Sequence, residues 1–137
     1  MYATLADLRS RYDEADLVQL TDQANAGVVD EARVAAALKA AGVTIDGYVA
    51  VKYRTGAAPV PPLLTDLAMT LAWHRLHRND VPETVETARK DAIASLEKIA
   101  KGTIKLDAGE EALEARPGAV VVSRPTRIFG RDQMDGF

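Results

Sequence analysis

The sequence predicts an all-α protein, a small bundle of four to five helices with an extended C-terminal arm that contains a short β-prone segment. Three observations predict it. Apolar residues recur at helical spacing through most of residues 1–102. Alanine is abundant while aromatics make up 5% of the chain, a composition that suits close-packed helices better than a large-residue sandwich core. After Gly102 the periodicity stops, and glycines, acids and Pro117 take over. The expected division is therefore a helical body over 1–102 and an arm over 103–137.

The chain is organised around residues 63–78, LLTDLAMTLAWHRLHR. Leu64, Leu67, Ala68, Leu71, Ala72 and Leu76 form one broad apolar stripe, and Leu63, Met69 and Trp73 add apolar surface around much of the rest. A helix that is apolar on nearly all sides is buried on nearly all sides. Pro59, Pro61 and Pro62 break the chain before it, and residues 79–82 break it after. Upstream, Thr4 with Asp7 reads as a helix cap, and Leu5, Leu8 and Tyr12 line a short helix. Residues 13–22 make a second short helix, and 23–29, with Asn25 and Gly27, a loop. Asp30 caps a third helix, for which Val34, Ala35, Leu38 and Ala41 form the stripe and Gly42 the expected end. Ile45, Tyr48, Val49 and Tyr53 then predict a separate helix, in which Gly47 permits a close backbone approach. Residues 83–101 carry the longest pattern, with Val85, Ala88, Ala92, Leu96, Ile99 and Ala100 inward. Acids come early, bases late, and Gly102 takes the C-terminal cap. The short break before residue 83 predicts a hairpin with the core helix, and Ile104 and Leu106 are expected to dock on the bundle.

The 137 residues fit one domain, and 47% hydrophobic with 27% charged residues is the balance of a soluble globular protein. A net charge of −3 argues against a protein that lives by unspecific attraction to phosphate. Without cysteine there is no disulfide framework, thiolate nucleophile or zinc-thiolate site. No apolar run reaches the roughly 18 residues of a membrane span, and the N-terminus lacks a signal-peptide h-region, so no membrane is expected.

Few constellations carry chemistry. His74, His77 and Asp80 are spaced three apart, as a metal site needs, but two histidines at a helix end more often cap carbonyls or sit half-exposed. Asp46 and Asp66 read as capping or salt-bridged acids. No nucleophile elbow, phosphate loop or dinucleotide fingerprint is present, so no enzyme, cofactor or metal is expected. Residues 30–54 offer an alternative function, a small helix-turn-helix DNA-binding regulator turning at Ala41, Gly42 and Val43. Its basic residues, Lys52 and Arg54, fall at the far end of the second helix, and Asp46 near its start repels phosphate, so a plain packing corner is the better reading. Tyr48 and Tyr53 are expected to pack their rings inward and leave their hydroxyls wet. The arm is the candidate partner-binding element. Its β-prone Val120, Val121 and Val122 need a partner strand, and Arg124, Arg127, Ile128, Phe129, Arg131 and Phe137 mix charge with apolar anchors.

The order of these features resembles a family of phage structural proteins related to a head-tail joining protein of phage Mu. The likeness begins at Tyr2, Ala3 and Thr4 with Asp7 and Leu8, and continues through residues 19–22. It is strongest from Ile45, Asp46, Gly47 and Tyr48 to Lys52, Tyr53 and Arg54. It resumes at Asp91, Ala92, Ile93 and Leu96, then residues 99–102, and ends at Arg127, Ile128, Phe129, Arg131, Asp132, Gly136 and Phe137. Where the family carries arginine-tyrosine, this chain has Arg89 and Lys90. The resemblance implies a head-tail connector in the virion neck, made in the host cytoplasm. Such subunits form a homo-oligomeric ring, most often of twelve, between the portal protein and a neighbouring neck or tail-completion protein. Genomic DNA passes through the channel without sequence-specific binding.

Overall fold

The computed structural model describes residues 1–55 and 59–106, and every regular element among them is a helix. They are α1 (Leu5–Arg11), α2 (Glu14–Thr21), α3 (Glu31–Val49), α4 (Pro62–Leu76) and α5 (Glu83–Lys101). The all-α expectation holds. α3, α4 and α5 pack on one another, and α1 closes over α3.

Side-chain caps start α1 and α3. Thr4 and Asp7 form a reciprocal capping box: the Thr4 amide donates to Asp7 Oδ2 at 2.7 Å and the Asp7 amide to Thr4 Oγ1 at 3.3 Å. Asp30 Oδ1 accepts from the amides of Ala32 and Arg33 at the start of α3. Between α2 and α3, Asn25 and Gly27 take positive φ, and the Asp22 carboxylate accepts from the amides of Ala26 and Gly27. Thr21 is fully buried, yet its hydroxyl donates to the Leu17 carbonyl at 2.7 Å and accepts from the Asp30 amide at 3.1 Å. Both hydroxyl functions are used, so its burial carries no unpaired-donor penalty.

α3 corrects two expectations. It runs without a break through Gly42, so residues 30–54 form one long helix and a closing turn, not a helix-turn-helix. Val34, Leu38, Ala41, Ile45 and Val49 are all buried and stay in phase across the glycine. The stripe on both sides faces the same core, and that outweighs the roughly 1 kcal/mol a mid-helix glycine costs. The Tyr2 ring covers the glycine, 3.6 Å from where a Cβ would stand. The second correction is Gly47. No described residue approaches it within 4 Å of a Cβ position, so the close approach does not occur there. Ala35, assigned to the stripe, is exposed.

α4 is the core helix, entered through Pro61 and Pro62. Leu64, Leu67, Ala68, Thr70, Leu71, Ala72 and Leu76 are buried, with Met69 and Trp73 packed at the core's edge. Thr70 is tolerated inside because its hydroxyl donates to the Asp66 carbonyl at 3.1 Å. Leu63, at the first turn, is 37% exposed, so the apolar girdle is open at that point.

α5 has the predicted bounds. Ala92, Leu96 and Ile99 are buried, and Val85, Ala88 and Ala100 are half-buried. Gly102 takes φ +83, which lets the amides of Gly102, Thr103 and Ile104 return to the Ile99 and Lys98 carbonyls. A side chain at Gly102 would meet Lys52, whose ammonium end lies over it. Beyond the cap, Ile104 packs on the core and Leu106 is buried. The Leu106 amide donates to the Tyr53 hydroxyl at 3.2 Å, so that hydroxyl is not simply wet, as expected, but ties Leu106 to the body.

Candidate interaction surfaces

The nine arm residues named from the sequence, Val120, Val121, Val122, Arg124, Arg127, Ile128, Phe129, Arg131 and Phe137, lie outside the described residues. The surfaces described here belong to the body.

A cleft of about 280 Å³ opens where α3, α4 and α5 meet. Thr44 comes from α3, Leu71, His74 and Arg75 from α4, His77 from the cap of α4, and Arg89 and Ile93 from α5. Leu71 and Ile93 give it an apolar floor; the other five give a polar rim that carries the two guanidinium groups of Arg75 and Arg89. Arg75 Nη2 donates to Thr44 Oγ1 at 3.3 Å. Beside the rim, Glu86 divides its carboxylate between His74 Nε2 at 2.6 Å and Arg89 Nη1 at 3.3 Å. The hydrogen bond from His74 holds the Glu86 carboxyl below the usual glutamate range; desolvation opposes it, and the charges of His74, Arg89 and Lys90 add to the lowering. One imidazole and one guanidinium thus share the Glu86 carboxylate, and Arg75 is bonded to a neutral hydroxyl.

Both histidines are engaged in the ways a helix end favours. His77 Nδ1 bonds the Trp73 carbonyl at 2.9 Å, and His74 pairs with Glu86. Among the described residues, no group of three potential metal-ligating side chains comes together. Asp66 is salt-bridged, as read from the sequence, accepting from Arg11 Nη1 at 2.7 Å. Asp46 accepts from the Tyr2 hydroxyl. Burial, with the Asp46 hydrogen bond and charge, pushes the Tyr2 phenol above its ordinary range. Thr65 donates to the Tyr2 carbonyl at 2.8 Å, so the N-terminal residues strap α3 to α4. Tyr12 stacks on Trp73 with ring centroids 3.8 Å apart and planes within 3°. His77 meets the same indole edge-on at 5.4 Å. Burial raises the Tyr12 phenol as well, opposed by the Arg11 charge.

Sequence reasoning missed the cleft. Thr44, Arg75 and Arg89 lie on three different helices and share no local motif. The signal within reach was Arg75 in the last turn of an otherwise apolar helix, which had to project somewhere.

No helix of the described residues is long and apolar enough to cross a membrane. Among the described residues, body and cleft define a small helical protein with a partly charged surface cleft. The chain belongs to the family described as Bacteriophage Mu, Gp36, whose model matches residues 2–123. It is 32% identical over 139 residues to the Mu-like prophage FluMu protein gp36 of Haemophilus influenzae, covering 100% of this chain and 98% of that protein. It is 34% identical over 137 residues to Gene product J of Escherichia phage Mu, covering 96% of each. It is therefore a protein of a Mu-like phage family.

Proposed function

We propose that this chain is a head-tail connector subunit. It forms a ring, of twelve copies by the family resemblance, between the portal and the next neck or tail-completion protein. The observation that carries the reading is membership of a Mu phage family over nearly the whole chain. The all-helical body agrees with it. The function is geometric: the body supplies the ring's wall, and the arm, through Val120 to Val122 and its arginine and phenylalanine anchors, supplies contacts to neighbouring chains. The net charge of −3 suits a channel through which DNA slides without sticking.

The test is the copy number of this chain in purified particles of the parent phage, measured by quantitative mass spectrometry against the portal protein. A ratio near one to one is expected. Absence from the particle overturns the connector reading.

A further inference from the structure

We propose that Arg33 and Arg78, which converge on the side chain of Gln23, form a binding site for a phosphate group. The inference goes beyond the ring reading and does not depend on it. Gln23 lies in the loop between α2 and α3, Arg33 in the first turn of α3, and Arg78 just past the cap of α4. With the Gln23 amide oriented as its neighbours require, Oε1 accepts from Arg33 Nη1 at 3.2 Å and from Arg78 Nη1 at 3.0 Å. The two Nη1 atoms therefore stand within about 6 Å of each other, both donating to one uncharged oxygen. Two positive groups so close repel unless an anion lies between them. Neither forms an ion pair with a carboxylate of the described residues. Asp22 and Asp30, the acids on either side of the loop, are committed to backbone amides, Asp22 to those of Ala26 and Gly27 and Asp30 to those of Ala32 and Arg33. The positive end of the α3 dipole adds to the same field, because Arg33 stands in its first turn.

The arrangement is held from below. The carbonyl of Thr21, a fully buried residue, accepts from the Gln23 amide at 3.0 Å and from Arg33 Nη1 at 3.3 Å. Loop and guanidinium are thus fixed on one residue, and Arg33 keeps further donors to spend. Gln23 is exposed, so its side chain has room to turn aside, and an anionic oxygen then takes the place of Oε1 between the two forks. A planar carboxylate matches one guanidinium fork. A tetrahedral phosphate points its oxygens in different directions and serves two forks arriving from different elements. Free inorganic phosphate and the backbone of DNA offer the same chemistry, and the test separates them.

The full-length chain is titrated with sodium phosphate at fixed ionic strength and followed by proton–nitrogen NMR. Saturable shifts are expected at the Nε–H groups of Arg33 and Arg78 and at the Gln23 side-chain amide. Arg78 is exposed, so R78Q leaves the fold intact, and it should weaken phosphate binding about tenfold, the worth of one charge-assisted hydrogen bond. Q23E places a carboxylate between the guanidinium groups. It should raise the melting temperature and remove the phosphate response. A fluorescent DNA duplex at low salt gives the second arm. Duplex affinity that falls with R78Q assigns the phosphate to a DNA backbone. A duplex indifferent to R78Q, with the response to inorganic phosphate intact, assigns it to the free ion. No shift at either arginine, sodium acetate acting as strongly as phosphate, or Q23E binding phosphate like the natural chain each overturns the proposal.

Discussion

α4 and α5 lie side by side and are built on opposite plans. α4 is buried on nearly every side, down to Ala68 and Ala72 at 1% and 0% exposure. α5 buries one stripe, Ala92, Leu96 and Ile99, and turns Lys90, Asp91, Ala94, Glu97 and Lys98 to the surface. An amphipathic helix carries its orientation in its own pattern, because one face alone can be desolvated cheaply. A helix that is apolar all round carries no such mark, and its neighbours set its rotation. Steric tolerance should therefore differ between the two helices even for identical substitutions.

The largest effect tests the depth of the α4 core. Leu67→Ala should destabilise the protein by about 2–5 kcal/mol, from lost transfer free energy and the cavity left behind. Urea unfolding reads this directly, and a loss below about 1 kcal/mol would mean that α4 is not the packed centre. The sharper comparison inserts the same bulk into each helix. Ala72→Leu in α4 should cost about 1–3 kcal/mol through overpacking, whereas Ala94→Leu on the open face of α5 should stay within about 0.5 kcal/mol. Equal costs would erase the distinction between the two plans.

The smallest effect concerns the link between the helices, His74 with Glu86. The Glu86 carboxyl titrates below the ordinary 4.5 in the folded chain. A depressed folded-state value means that the ionised form favours folding. The contribution is full above pH 4.5 and is lost as pH falls through the lower folded value. The melting-temperature gap between the natural chain and Glu86→Gln should accordingly be widest near neutrality and close toward pH 3. A gap that is flat across that range would show that the pair contributes nothing through charge.

Much of this molecule was legible in its sequence where the information is local. The Thr4–Asp7 box, the Asp30 cap, the positive-φ loop residues Asn25 and Gly27, and the bounds of α5 with Gly102 beyond them depend on residues within four or five positions of one another. The burial of 64–76 was also readable, since an unbroken apolar surface has no other stable place. The family membership was legible from the order of such features along the chain.

Tertiary structure decided what depends on distant partners. Gly42 is a plausible stop signal by propensity, yet a penalty of about 1 kcal/mol is small beside the burial of a stripe in phase on both sides of it. The Tyr53 hydroxyl found a donor 53 residues away at Leu106. Arg75, Thr44 and Arg89 became one cleft because three helices meet there. Backbone preference and caps act over a few residues and are written in local sequence. Which face of α4 meets which helix is a matter of packing, and packing energy belongs to pairs of surfaces that the chain brings together when it folds.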